Sequence, residues 1–203
     1  MLRFKIFGID IYLSFLFFAV VTIYLILDRT GFGCCGLFAA VTHELGHIAA
    51  YCLVGSKPSS VALTFEGMRL VTSNQYLTVG KELFTLLAGC GVNFVLCILF
   101  LLSDGNIFFR FALSQFVIGG FNLIPIGGLD GALTLKRVLS LFFSFRMVHL
   151  ISLLLSWGVV IPLLFCGIFL FLTERNITLL ITGGFLIISL LKSKKSARLI
   201  CNR

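Results

Sequence analysis

Long apolar runs dominate this chain of 203 residues and decide what it can fold into. Hydrophobic residues make up 59% of it and charged residues only 12%. A soluble globular protein carries roughly twice that charged fraction. Because a helix needs about 20 apolar residues to cross a bilayer, the runs predict six spanning helices, at 9–27, 31–55, 83–103, 107–124, 147–172 and 177–191. The predicted fold is an all-α polytopic membrane protein.

The basic residues predict how these helices are oriented. The net charge is +8, but the lysines and arginines lie between apolar runs and at the C-terminus, which is typical of membrane topology rather than of nucleic-acid binding. Thirteen of the sixteen fall on the side of both termini, and only Arg29, Arg110 and Arg175 fall on the other. The positive-inside rule then predicts a multi-pass cell-membrane protein with cytoplasmic termini. Its partners include the lipid bilayer and no nucleic acid.

The connection at 56–82 alternates between apolar and polar residues. Val61, Leu63 and Phe65 share one face, and Gly67 follows at a turn. This period of two predicts a small β-hairpin between the second and third helices, at the cytoplasmic edge of the membrane.

A second unusual connection covers 121–146. Pro125 ends the fourth helix, and a glycine-rich stretch leads to Asp130 and Gly131. Non-helical backbone at membrane depth is tolerated only where it is buried in protein or lines a wet cavity. A broken helix of this kind indicates a functional site.

The second apolar run contains the pattern H-E-x-x-H, at His43, Glu44 and His47. On a helix, this spacing places two imidazoles one turn apart on one face, where they can bind one metal ion. The alternative is a pair of core histidines. That alternative leaves the charge of Glu44 inside a membrane uncompensated, at a cost of several kcal/mol. The pattern therefore predicts one catalytic Zn²⁺ bound by His43 and His47, with Glu44 as general base.

Zinc in a hydrolase takes a third protein ligand. Asp130 is the best candidate because it lies in the broken segment, whereas His149 is expected at the interface and Glu66 and Glu82 near the hairpin. Asp130 has an alternative role as the N-cap of a helix beginning near Ala132. Asn122 has two equally favoured roles, as a donor to the oxyanion and as a cap for the broken helix end.

Three motifs together resemble the site-2 protease family of intramembrane zinc metalloproteases, and are most similar to its stage IV sporulation protein FB branch. They are His43-Glu44-Leu45-Gly46-His47, Gly89-Cys90-Gly91-Val92-Asn93 and Asn122-x-x-Pro125-x-x-x-x-Asp130-Gly131. The resemblance implies a catalytic Glu44, a zinc ion bound by His43, His47 and Asp130, and substrate-positioning roles for Asn93 and Asn122.

The resemblance also implies an intramembrane endopeptidase that cuts a membrane-associated protein in or near its membrane segment. Such regulated intramembrane proteolysis would act on a sigma-factor precursor or an anti-sigma factor, as in sporulation, and can involve an inhibitory membrane partner. An extended substrate would add as a strand at the hairpin, near Val61, Leu63, Phe65 and Gly67.

We expect residues 1–203 to form a single metalloprotease domain, because 56–82 is too short for a PDZ domain and too little chain follows 191 for a CBS domain. From the predicted topology, the active site opens toward the cytoplasm. The alternative function is a metal-handling transporter or an inactive membrane scaffold of protease ancestry. A transporter would be expected to have repeated halves, and an inactive relative to have lost Glu44 or a metal ligand.

Overall fold

A computed structural model describes most of the chain in two compact units, Met1–Phe121 and Asn122–Arg203. The described residues are 2–6, 9–13, 21–23, 25–26, 28, 30–56, 58–64, 67–72, 77–175 and 177–201. Helices account for most of them. The expectation of a single metalloprotease domain over 1–203 stays a prediction.

The first unit contains a four-stranded sheet formed by two segments that are distant in sequence. Its strands are β1 (Leu2–Ile6), β2 (Ile9–Leu13), β3 (Pro58–Thr64) and β4 (Gly67–Thr72). The order is β1-β2-β3-β4, with antiparallel outer pairs and a parallel central pair, β2 with β3. The strands predicted within 56–82 are thus half of a larger sheet, and their position at a membrane edge stays a prediction.

The predicted helix at 9–27 is wrong at its beginning, where β2 lies instead. Apolar residues alternate with Asp10 and Tyr12 along this strand, which is the period of a half-buried strand rather than of a spanning helix. Pairing on both sides, with β1 and β3, satisfies its backbone. Helical residues are described at 21–23 and 25–26, and 14–20 lie outside the described residues.

Three helices follow: α1 (Phe32–Leu53), α2 (Val79–Leu101) and α3 (Asn106–Asn122), of which all but the last residue of α3 belong to the first unit. The buried face of α1 consists of small residues and both histidines, at intervals of three and four residues. The buried face of α2 follows the same spacing. Small residues at both faces let the two backbones approach closely, which is the usual basis of helix packing in membranes.

The second unit contains α4 (Asp130–Leu139), α5 (Phe145–Glu174) and α6 (Thr178–Cys201). The helices α5 and α6 pack through two glycines. A Cβ on Gly167 would lie 3.2 Å from Leu180, and one on Gly183 would lie 2.7 Å from Leu164. Absent side chains at these positions therefore allow the two apolar helices to contact each other directly.

Two helices, α2 and α5, are long and apolar enough to cross a membrane, judged by length and composition over the described residues. A shorter apolar helical stretch occupies Thr178–Ile188. Helices also lie at the ranges predicted for the second, fourth and sixth spans. The total of six spans and the orientation of the termini stay predictions.

Candidate metal centre

The two histidines of the H-E-x-x-H pattern lie on the buried face of α1. His43 is 4% exposed and His47 is 8% exposed. Their separation by one helical turn brings the two Nε2 atoms to 3.2 Å from each other. Glu44, between them, is half-buried. The helix thus brings two imidazole nitrogens together, with Glu44 next to His43 in the sequence.

The hydrogen bonding of His47 fixes which nitrogen is available for a metal. Its Nδ1 lies 2.7 Å from the carbonyl oxygen of Thr85 on α2. Since a carbonyl can only accept, Nδ1 carries the proton and donates it, and Nε2 keeps its lone pair. A carbonyl partner of this kind orients and strengthens a histidine ligand.

The distance between the two Nε2 atoms fits zinc. Two nitrogens about 2.0–2.1 Å from one ion, at a tetrahedral angle, are about 3.3 Å apart. The observed value of 3.2 Å matches that separation. Both the donor set and its geometry therefore fit a zinc ion.

Gly89 on α2 provides the space that the imidazoles occupy. A Cβ at this position would lie 2.8 Å from His43 Cε1 and 2.9 Å from His43 Nε2, and closer still to His47 Nε2. Gly46 on α1 is packed against the same part of α2, since its Cβ would meet the Ala88 carbonyl oxygen at 3.0 Å. The two glycines thus allow the helices to approach at the level of the histidines.

A buried polar pair connects α1 to α3 beside the histidines. Gln115 is fully buried and donates from Nε2 to Thr42 Oγ1 over 3.1 Å. Thr42 precedes His43, and its hydroxyl is also 3.0 Å from the Phe38 carbonyl oxygen. The side-chain amide of Gln115 needs a hydrogen-bond partner because it is buried in an apolar environment. Its bond to Thr42 therefore favours one alignment of α3 along α1.

Asn93 is fully buried in the middle of α2. Its Nδ2 donates to the Ala39 carbonyl oxygen of α1 over 3.4 Å, and its Cβ packs against Gly119 of α3. Within the described part of the chain, no hydrogen-bond partner reaches its Oδ1. Asn93 therefore braces α1 against α2, and its predicted role in substrate positioning stays a prediction.

In the second unit, Asp130 is the first residue of α4. The N-cap position belongs to Leu129, so the alternative role of Asp130 as an N-cap is wrong. Gly131 follows, where a Cβ would overlap the Leu123 carbonyl group and lie 2.9 Å from the Ile124 carbonyl oxygen. This close backbone contact fixes the first turn of α4, and with it Asp130, against the segment that follows α3.

His43 and His47 lie in the first unit and Asp130 in the second. The prediction that these three residues bind one zinc ion stays a prediction. Asn122 is the half-buried last residue of α3. That position suits both of its predicted roles and favours neither.

The strand positions predicted to bind substrate fall on two different strands. Val61 and Leu63 lie in β3, whose backbone is paired with β2 on one side and β4 on the other. An added strand needs a free edge, which β3 does not have in the described sheet, and the prediction that substrate binds near these two residues stays a prediction. Gly67 lies in β4, an edge strand of the described sheet. Phe65 lies outside the described residues.

The sequence matches no protein-family model and no curated protein. Solved structures do match. The fold is similar to that of a site-2 protease. That protein is described as "Site-2 Protease from Methanocaldococcus jannaschii", and it aligns with 95% of this chain and 94% of its own at 26% identity and a TM-score of 0.67. Together with the apolar helices, the likeness indicates a membrane protein of the intramembrane metalloprotease type.

Three residues of the site were not foreseen as contributors from the sequence. Thr85 acts through its backbone carbonyl, which no side-chain pattern can reveal. The sequence shows Gly89 only as part of a motif, whereas its role in the structure is to leave space for the two imidazoles. Gln115 carried a usable signal, because a polar side chain inside an apolar span usually has a buried partner.

Proposed function

We propose that this protein is an intramembrane zinc endopeptidase that cuts a membrane-associated protein in or near its membrane segment. The observation that carries the proposal is the pair of buried Nε2 atoms, 3.2 Å apart, with His47 oriented by the Thr85 carbonyl oxygen. The site-2 protease likeness over nearly the whole chain supports the same reaction class.

His43, His47 and Asp130 would hold the zinc ion. A zinc ion acts as a Lewis acid that polarises a carbonyl oxygen and lowers the pKa of a water molecule. Glu44 takes the proton of the attacking water and delivers it to the leaving amine. Asn122 donates to the oxyanion of the peptide, and Asn93 holds α1 so that Glu44 and the histidines keep their positions.

A substrate would be bound in an extended form. Carbonyl groups of a helical segment are already hydrogen-bonded, so the segment must unwind before it can be cut. We propose β4 as the edge to which it adds, since the central strands are paired on both sides. Gly67 begins that edge.

The wider setting follows from the charge distribution and the family likeness. We propose a multi-pass cell-membrane protein with both termini and the opening of the active site on the cytoplasmic side. Its substrate would be a membrane-associated regulator, such as a sigma-factor precursor or an anti-sigma factor, and an inhibitory membrane protein would control access.

The test uses the full chain reconstituted in liposomes with a panel of tagged single-span membrane proteins. Zinc content and cleavage are measured for the wild type, Glu44→Gln and Asp130→Asn. We expect Glu44→Gln to keep zinc and lose cleavage, because the general base is removed and the ligands remain. Asp130→Asn should lose zinc, because a neutral amide replaces an anionic ligand. Glu82→Gln is the matched control and should behave as wild type.

Two outcomes contradict the proposal. Equal cleavage by the wild type and Glu44→Gln would exclude the general-base role. Zinc binding without cleavage of any protein in the panel would favour the inactive scaffold.

A further inference from the structure

Seven consecutive residues between the end of α4 and the first turn of α5 are exposed, and five of them are large and apolar. This 141–147 segment has no role in the proposed reaction. Phe142 is 75% exposed, and the other exposed apolar residues of the segment are Leu141, Phe143, Phe145 and Met147. A run of exposed apolar side chains is unfavourable in water unless it serves a contact. The segment is therefore a surface for lipid or for another molecule.

The backbone of the segment excludes the hydrocarbon core of a membrane as its surroundings. Residues 140–144 lie between α4 and α5 and are not helical. Lipid-exposed backbone of this kind does not occur in the hydrocarbon region, because acyl chains cannot hydrogen-bond its polar groups. The headgroup region offers water and lipid oxygens next to acyl chains. It therefore suits both the apolar side chains and the irregular backbone.

The sequence around the segment is basic. Lys136 and Arg137 lie in the last turn of α4, and Arg146 is exposed within the segment itself. The sequence has no aspartate or glutamate from 131 to 173. Long basic side chains can extend toward headgroups while their apolar neighbours stay among acyl chains. Anionic headgroups are the complementary partner for such a surface.

The helix α6 adds further basic residues at the same end of α5. Leu190 of α6 and His149 near the beginning of α5 line one small recess, so the two helices meet there. Four more basic residues follow in the sequence of α6, at 192, 194, 195 and 198. At the other end of α5, the charges of Glu174 and Arg175 cancel. This asymmetry is the one that the positive-inside rule describes for a spanning helix and its cytoplasmic flank.

We propose that the 141–147 segment lies in the headgroup region of the membrane and binds anionic phospholipid there. This inference rests on the membrane setting of the proposed function. The phenylalanines insert among the upper parts of the acyl chains, and Arg146 pairs with a phosphate oxygen. With ten residues, α4 is about 15 Å long and too short to cross the bilayer. It begins at Asp130, so the membrane surface holds the end of α4 that lies away from the proposed zinc ligand.

The test places one tryptophan at a time in the zinc-loaded full chain, reconstituted in liposomes with brominated phospholipids, whose bromine atoms quench tryptophan fluorescence on contact. The single native tryptophan, Trp157, is first replaced by phenylalanine. Phe142→Trp reports on the segment. Leu154→Trp reports on the hydrocarbon core, since Leu154 is 61% exposed and lies about 14 Å beyond Phe145 along α5. We expect bromine near the headgroup to quench Phe142→Trp most, and bromine near the end of the acyl chain to quench Leu154→Trp most.

Leu172→Trp is the matched control for charge. Leu172 is 74% exposed, close to the value for Phe142, and it lies at the neutral end of α5. The liposomes contain equal amounts of phosphatidylglycerol and phosphatidylcholine, and one of the two is brominated near the headgroup. We expect phosphatidylglycerol to quench Phe142→Trp more strongly than phosphatidylcholine does, and the two lipids to quench Leu172→Trp equally. Adding Arg146→Gln to Phe142→Trp should lower the preference by up to about fivefold, the effect of one basic residue at an anionic surface.

Four outcomes would overturn the inference. If no bromine quenches Phe142→Trp while Leu154→Trp is quenched, the segment lies in water or under a protein partner. If the two variants share one depth, the segment lies in the hydrocarbon core. Equal quenching of Phe142→Trp by the two lipids would exclude a preference for anionic headgroups. These three outcomes leave the proposed protease in the membrane, whereas a Leu154→Trp that is not quenched either would contradict the membrane setting as well. Phe145→Trp is a second probe of the segment, so a folding defect in one variant does not decide the result.

Discussion

Substituting Gly89 by alanine is the sharpest test of how the helices hold the histidines. The added Cβ would lie 2.8 Å from His43 Cε1, whereas ordinary contact begins at 3.4 Å, so the ring and the Cβ must move apart by about 0.6 Å. Metal–ligand distances in zinc sites lie within about 0.2 Å of their usual values. Disturbing the surroundings of a ligand typically costs about 10- to 100-fold in metal affinity. We expect a loss of zinc affinity in that range.

Gly91→Ala is the matched control, because Gly91 lies two residues away on the same helix and a Cβ there has no neighbour within 4 Å. Both substitutions replace a glycine inside a helix by alanine, and this replacement stabilises a helix by roughly 0.5–1 kcal/mol. The difference between the two variants therefore isolates the contact with the imidazoles. Zinc affinity is measured by competition with a chelator, and helix content by circular dichroism. Equal zinc affinity in Gly89→Ala and Gly91→Ala would refute the reasoning.

Three other predictions test neighbouring features. Thr42→Val should destabilise the protein by about 1–3 kcal/mol, because it leaves the buried amide of Gln115 without its partner; adding Gln115→Leu should recover part of the loss in unfolding measurements. Gly131→Ala should disrupt the turn before α4 and reduce bound zinc, whereas Gly158→Ala, whose Cβ meets nothing within 4 Å, should keep it. Hydrogen bonds from Thr30 and the Gly33 amide lower the pKa of Asp28, so its stabilising effect is present above the ordinary value of 3.8 and lost as the pH falls through its folded pKa. Asp28→Asn should therefore be less stable than wild type near neutral pH and differ little in acid; a difference that persists in acid would contradict this.

Most of the helices could be predicted because each coincides with a long run of apolar residues in the sequence. The helix predicted at 31–55 lies at Phe32–Leu53, and the one predicted at 107–124 lies at Asn106–Asn122. The same criterion failed at 9–13, because an apolar strand that leads into further apolar residues has the composition of a spanning helix. The alternation of apolar and polar residues in β1 and β2 indicates strands. The prediction of a helix at 9–27 relied instead on the length of the apolar run.

Some features of the candidate site could likewise be predicted from the sequence, and others could not. The spacing of His43 and His47 is local, so one helical turn suffices to predict their convergence. The hydrogen bond from His47 to Thr85 depends on the crossing of α1 and α2, and no stretch of sequence contains that information. Asp130 was predicted as a ligand from its place in a broken helix, but its position inside the first turn of α4 required the structure.

The parallel pairing of β2 with β3 has a consequence for how the chain is synthesised. Asp10 pairs with Ser60, so β2 is synthesised about fifty residues before its partner strand. Until β3 emerges from the ribosome, the edge of β2 is open and the segment containing α1 has only one anchored end. When β3 pairs with β2, it closes a loop of chain that contains α1, so both ends of this loop are then held by the sheet. The order of synthesis thus makes β2 the strand on which this loop closes, and removing β2 should impair biogenesis before it affects the finished protein.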